Sequence, residues 1–257
     1  MSAARPQGLV FGEVAEEFDR IRPGYPAALV DDVLAYAGPG TRALEVGAGT
    51  GKATTAFAVR GLDITAVEPD PAMAALLEQR LGERSTVRIV AALFEGYTPD
   101  APFDLLYCAQ AWQWTDSAQR WARAAAALAP GGALALFWNF DRIADDDLRA
   151  LVRQVHEPYA PHAMIDEEPA DGTDLSQYWP GPDLAALPEF GDLTERIYLW
   201  ERTLSTDDYV SYLSTQPTYR MLPEVTREAL FAALLQQLPE KLTLSVETLL
   251  YLGRRTA

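Results

Sequence analysis

From residue 42 onward, short runs of β-forming residues alternate with longer stretches in which apolar positions recur at helical spacing. The β-type runs are RALEV (42–46), DITAVE (63–68), VRIVAA (87–92), FDLLYCA (103–109) and ALALFWN (133–139), with helical patterns over 51–60, 71–82 and 117–128. Strands that alternate with helices predict an α/β fold with a mostly parallel sheet covered on both faces. Before this region Phe11, Val14, Phe18 and Ile21 keep a helical spacing, Pro23-Gly24 interrupts it, and it resumes after Pro26. Two short helices are expected within 11–37.

The rhythm changes after residue 140. One helical stretch, DDDLRALVRQVHEPY, leads into a segment rich in Pro, Gly and Asp without a strand pattern. Then TERIYLWERTLS (194–205) and KLTLSVETLLYLGR (241–254) read as strands flanking helices at 206–214 and 224–237, the first capped by Ser205 or Thr206. These two strands are expected to pair antiparallel at the sheet edge. The layout is one domain over 1–257: a core of 38–140 plus 190–257, with the N-terminal helices 1–37 and an insertion 141–189 forming a helical lid.

Composition narrows the partners. A net charge of −16 opposes adhesion to phosphate backbones, so no nucleic-acid partner is expected. No apolar run is long enough to span a bilayer, and MSAARPQGLVFGEV lacks the apolar stretch of a secretory signal, which predicts a cytoplasmic protein with no membrane partner. Only Lys52 and Lys241 supply lysine while arginine and alanine abound, a bias typical of a GC-rich bacterial genome. The single cysteine, Cys108, rules out an internal disulfide and a cysteine-rich metal site. No metal is expected, because His156, His162 and the acids Asp145, Asp146, Asp147, Asp166, Glu167 and Glu168 show no ligand spacing.

The candidate chemistry lies in ALEVGAGTGKATTAFA (43–58), where a strand runs through Gly47, Gly49 and Gly51 into a helix. Such a turn lets the backbone approach a ligand closely and turn its N–H groups toward polar atoms. A nucleoside triphosphate loop is a poor fit, since Ala53 follows Lys52 where Ser or Thr is needed. At the tip of the next strand stands Glu68, well placed by its register with the glycines to bind both hydroxyls of a ribose. A nicotinamide-dependent oxidoreductase would share the ribose but favours G-x-G-x-x-G.

LEVGAGTGKAT, AVEPDPAM, FDLLYCAQAWQWTD and LAPGGALALFWN, in that order over about 41–139, resemble the successive motifs of class I S-adenosylmethionine-dependent methyltransferases. FDRIRPGYP is similar to the leading segment of the small-molecule, type 11 members and of relatives of trans-aconitate methyltransferase. The resemblance implies a Rossmann-like fold, S-adenosylmethionine as methyl donor, S-adenosylhomocysteine as product and a small-molecule acceptor. It places Glu45, Gly47, Ala48, Gly49 and Gly51 around the methionine part of the donor and Glu68 on the ribose. Pro69, Asp70 and Met73 would lie near the adenosine, and Phe94 at the adenine. Many members carry an Asp at this last site; Leu93-Phe94-Glu95 lacks it, which leaves the adenine to backbone groups or Glu95. Gln110, Ala111 and Trp112 would flank the sulfonium, with Arg22 and Tyr25 closing over the donor.

For the acceptor, Trp114, Trp138, Tyr178 and Trp179 are the candidate wall residues. No catalytic residue is assigned: members often carry His where Gln113 stands, so a base does not transfer to that position, and Tyr25 and His156 are the candidates. The sequence leaves O-, N- and C-methylation open, as well as oligomeric state. A donor-binding module without turnover is the alternative function.

Overall fold

The computed structural model describes residues 11–40, 42–163 and 178–256. Residues 1–10 and 164–177 of the expected lid, with the acidic run Asp166–Glu168, lie outside the described residues. Seven strands form one sheet: β1 (Arg42–Val46), β2 (Asp63–Val67), β3 (Val87–Val90), β4 (Phe103–Ala109), β5 (Leu128–Ile143), β6 (Phe190–Ser205) and β7 (Lys241–Arg255). Their order is β3-β2-β1-β4-β5-β7-β6, with β3, β2, β1, β4 and β5 parallel and the other edge antiparallel. This is the expected sheet.

The chain divides into two compact units. Unit 1 takes 1–22, 140–172 and 199–247; unit 2 takes 23–139, 173–198 and 248–257. In unit 2 the helices are α2 (Ala27–Ala37), α3 (Lys52–Ala58), α4 (Pro71–Leu81), α5 (Arg120–Ala127) and α7 (Gly181–Ala185); in unit 1 they are α1 (Ala15–Ile21), α6 (Asp146–His156), α8 (Thr206–Ser214), α9 (Pro217–Arg220) and α10 (Glu224–Gln237).

Unit 2 is built on strands such as FDLLYCA, apolar on both faces because helices cover both. Leu29, Val33, Phe57, Ile64, Leu77, Tyr107, Phe137 and Leu250 share its core, where Phe57 stacks on Tyr107 at 4.3 Å between ring centroids. Helix α4 starts where the sequence supplies both a cap and a stiff first residue: Asp70 Oδ1 accepts from Ala72 N and Met73 N, and Pro71 occupies the first helical position. In unit 1, Ile21, Val152, Val155, Leu213, Leu230, Leu234 and Leu244 form a separate core. Ser205 caps α8 through Asp208 N, settling the choice between Ser205 and Thr206.

Several elements differ from the sequence reading, among them β6, which begins at Phe190 rather than 194. Strand β5 begins at Leu128 rather than near 133, because the register slips between Phe103↔Leu128 and Leu105↔Ala133 and so absorbs Pro130-Gly131-Gly132 as an irregularity. The expected start of α5 at 117 gives way to Arg120, since Asp116 Oδ1 accepts from Ala118 N and closes a turn there. Helices α7 and α9 have no counterpart in the sequence pattern: at 5 and 4 residues they carry too few positions to show a period.

Burial of Phe57 sets a test of the unit 2 core. Phe57→Ala should destabilise the protein by about 3–5 kcal/mol, measured by urea unfolding, because it removes a fully buried ring and leaves a cavity against Tyr107.

Candidate functional site

Strand β1 ends at Val46, and the backbone then turns with positive φ at Gly47 (69°), Gly49 (57°) and Gly51 (88°), the last at the N-terminus of α3. The turn is tied to the neighbouring strand: Gly47 N and Ala48 N both donate to Val67 O, at 2.9 and 3.1 Å, and Gly51 N closes on Ala48 O at 3.0 Å. The glycines serve different ends. A Cβ on Gly47 would lie 2.4 Å from Ala111 Cβ, so packing requires that glycine, whereas a Cβ on Gly51 would meet only the movable end of Leu77 and it is the φ of 88° that favours glycine there. A Cβ on Gly49 would meet nothing within 4 Å. The space above Gly49 is open, and it is the candidate cradle.

Glu68 organises that cradle. Its Oε2 accepts from Gly49 N at 2.8 Å and its Oε1 from Asp70 N at 2.8 Å, so one buried carboxylate joins the turn after β1 to the turn after β2. Burial pushes the Glu68 carboxyl above its ordinary range, while the N–H groups of Asp70 and Gly49 hold it down. Each oxygen keeps a lone pair for a further donor.

Behind the turn, Glu45 is 1% exposed, and its Oε2 accepts from the Tyr107 hydroxyl at 2.9 Å. Burial raises this carboxyl to about 8, against the hydrogen bonds from Thr54 and Tyr107; the charge of Glu68 pushes the same way as burial.

The rest of the expected donor set, apart from Arg22, belongs to unit 2. Pro69 follows Glu68, Met73 is buried on α4, and Phe94 is buried in a short 3₁₀ turn with its ring 5.8 Å from that of Trp112. Trp112 is fully buried, and its Nε1 has no hydrogen-bond partner among the described residues. Glu95, the fallback for the adenine, already accepts from Asp116 N at 2.5 Å. Gln110 leaves β4 with φ 63°, a left-handed conformation that a non-glycine residue adopts only when its surroundings impose it. Those surroundings are specific: Gln110 N donates to Phe137 O at 2.9 Å, and Gln113 Nε2 donates to Gln110 O at 2.8 Å. Tyr25 packs edge-on against Phe137 at 4.8 Å.

Two residues to which the sequence reading gave no structural role, Asn139 and Gln113, complete this corner. Asn139 donates through Nδ2 to Gly24 O at 3.1 Å and accepts at Oδ1 from the Thr248 hydroxyl at 2.6 Å. Gln113 accepts at Oε1 from Trp138 Nε1 at 3.0 Å. Of the candidate acceptor residues, Trp138 and Trp179 meet edge to face at 5.5 Å, and Trp179 also receives the Arg120 guanidinium at 5.2 Å. Tyr178 O lies 3.5 Å from the Tyr251 hydroxyl, while Trp114 is 41% exposed at the end of the 3₁₀ turn Trp112–Trp114.

Arg22 and His156 are in unit 1. Arg22 donates from Nε to Thr215 Oγ1 at 2.8 Å and packs on the rings of Phe18 and Tyr212. His156 is 1% exposed, with Nδ1 2.7 Å from Val152 O and Nε2 3.0 Å from the Tyr219 hydroxyl. Both ring nitrogens are engaged in the unit 1 core. Among the described residues no group of three His, Cys, Asp or Glu is placed to hold a metal, and no helix is long and apolar enough to cross a membrane.

Residues 44–136 match the family model described as a methyltransferase domain. An uncharacterized methyltransferase of Mycobacterium tuberculosis (strain ATCC 25618 / H37Rv) is 40% identical over 135 residues, 52% of this chain and 54% of the relative. A probable S-adenosylmethionine-dependent methyltransferase of Saccharomyces cerevisiae is 27% identical over 48% of this chain and 44% of its own length. The chain thus spans about half the length of the curated relatives it matches. Among solved structures, a putative type II methyltransferase from Anaeromyxobacter dehalogenans superposes with a TM-score of 0.63 at 25% identity, covering 91% of this chain and 97% of that one. The YcgJ protein from Bacillus subtilis, at 16% identity and a TM-score of 0.57 over 90% and 100%, shares the fold. The fold is the Rossmann-like fold of class I methyltransferases.

Glu45 gives this site a pH signature. Its folded-state pKa lies above the unfolded value of 4.5, so the folded protein keeps a proton that the unfolded chain has released. Stability from this group is complete below pH 4.5 and is lost as pH rises toward 8. The unfolding free energy of the wild type relative to Glu45→Gln should therefore fall across that window and level off above it, as measured by urea titrations at fixed pH; a constant difference would contradict the burial account.

Proposed function

We propose that this chain transfers a methyl group from S-adenosylmethionine to a small-molecule acceptor. The observation that carries the reading is the open cradle above Gly49, in a turn pinned from below by the Glu68 carboxylate. The match of 44–136 to a methyltransferase domain and the names of the mycobacterial and yeast relatives support it.

The residues present fit this donor. Open space at Gly49 admits the methionine end close to backbone, and the spare lone pairs of Glu68 suit the two ribose hydroxyls. Pro69, Met73 and Phe94 are the residues proposed for the nucleoside, with the fully buried Trp112 packed against Phe94, and Gln110 and Ala111 stand at the corner assigned to the sulfonium. When bound, the donor supplies an electrophilic methyl on a good leaving group. The chain itself contributes alignment and the exclusion of water, since an in-line displacement needs no protonation of the departing thioether. Alignment comes from a rigid corner, in which Gln113 and Asn139 fix the backbone around Gln110 and Gly24. Where the acceptor must lose a proton, Tyr25 is the hydroxyl we assign, because both nitrogens of His156 are occupied.

The acceptor is read as small because a net charge of −16 repels polyanions. Trp138 and Trp179 are the aromatic surface proposed for it.

Two glycine variants separate donor binding from folding. Gly49→Ala forces an L-residue to φ 57°, a cost of about 1–2 kcal/mol, and should weaken S-adenosylhomocysteine binding at least tenfold by calorimetry. Gly47→Ala adds a clash with Ala111 and should lose more stability than Gly49→Ala. Normal binding by a folded Gly49→Ala protein would reject the cradle. For turnover, labelled donor is incubated with the protein and separately with RNA, DNA, protein extract and a small-metabolite extract. Label should enter the low-mass fraction, and label arriving mainly in a polymer would reject a small acceptor.

A further inference from the structure

The segment Pro23-Gly24-Tyr25-Pro26, which leads into α2, is a stiff strap with one joint. Proline rings fix φ at Pro23 and Pro26, and Pro26 confines Tyr25 before it to extended backbone. Gly24 alone keeps its freedom to turn. It is exposed, its φ lies outside the positive range, and a Cβ built on it would meet nothing within 4 Å.

A side chain holds this joint. Asn139 Nδ2 donates to Gly24 O at 3.1 Å, and Asn139 Oδ1 accepts from the Thr248 hydroxyl at 2.6 Å. The amide can point only one way: a carbonyl oxygen accepts and never donates, so the nitrogen must face Gly24 and the oxygen Thr248. Asn139 is 8% exposed and Thr248 is fully buried, so the grip on Gly24 comes from a fixed part of unit 2. Next to the joint, the Tyr25 ring lies edge-on to Phe137 at 4.8 Å, and Phe137 O accepts from Gln110 N, the residue assigned to the sulfonium corner.

We propose that Gly24 is a hinge, that Asn139 with Thr248 is its lock, and that Tyr25 is the side chain the hinge swings to admit and retain the methyl donor. The proposal rests on the donor reading of the cradle. With the lock engaged, Tyr25 stays against Phe137. With Gly24 O released, rotation at Gly24 carries the Tyr25 ring away, and the exposed carbonyl exchanges Asn139 for water. A neutral hydrogen bond is weak enough, net of the water it displaces, for the lock to open without unfolding the sheet. Restricting the other three residues concentrates the motion at one position, as in hinges that absorb a backbone change over few residues.

Association and dissociation of S-adenosylhomocysteine are followed by surface plasmon resonance on the full chain, beside hydrogen–deuterium exchange without ligand. Asn139→Ala should release the ligand at least tenfold faster and should speed exchange in the peptide spanning 22–30. Thr248→Val leaves Asn139 and Gly24 in place yet should speed the same exchange, while Thr248→Ser keeps the hydroxyl and should match the wild type. Gly24→Ala fits the open space but stiffens the joint, so it should slow association and dissociation severalfold with little change in Kd. Loss of stability alone would lower affinity and would not slow both rates together. If Asn139→Ala fails to fold, Thr248→Val against Thr248→Ser decides the lock. Unchanged exchange over 22–30 in Thr248→Val, or unchanged rates in Gly24→Ala, overturns the proposal. A wild type that binds no S-adenosylhomocysteine removes the donor reading and the gate with it, whereas normal binding with unaltered variant rates rejects the gate alone.

Discussion

A single carboxylate, that of Glu68, holds the candidate site together. Its two oxygens take one N–H from the glycine turn after β1 and one from the turn after β2, both at 2.8 Å. Charge-assisted bonds of this kind are about twice as strong as neutral ones, and here they replace the hydration that burial removes. Parallel pairing of β1 with β2 brings the two turns side by side, through Val46↔Val67, so the site depends on the sheet before it depends on any one side chain. From there the order propagates outward: Asp70, whose N–H is held by Glu68, caps α4 with its own carboxylate.

Burial shapes the chemistry at this place as much as contact does. Glu45 and Glu68 are both buried, and desolvation raises both carboxyls; the charge of Glu68 adds to the effect on Glu45, and that of Asp70 to the effect on Glu68. Cys108 on β4 is fully buried, and the same desolvation raises its thiol far above its ordinary value, which fits a packing role.

The legible parts of this fold were local. Strand, glycine turn and helix follow one another within residues 42–58, and the Glu68 register depends only on the next strand, so pattern and turn chemistry were sufficient. Gln113 and Asn139 were not legible, because their roles depend on partners 25 and 115 positions away, Trp138 and Gly24, that no spacing rule connects. Arg22 was assigned by resemblance to the donor, yet its described contacts are with Phe18, Tyr212 and Thr215 in unit 1. Pro130-Gly131-Gly132 read as a break before a strand, whereas an irregular register lets β5 run through it. Sequence carries the local geometry well and the long-range pairing poorly.

Hydrogen–deuterium exchange with and without S-adenosylhomocysteine tests the central claim, that the turn pinned by Glu68 is the donor cradle. The account predicts that added ligand slows exchange in the two peptides covering 44–52 and 66–74, where the Gly49 and Asp70 amides reside. Protection confined to other segments, or no change under saturating ligand, would contradict it.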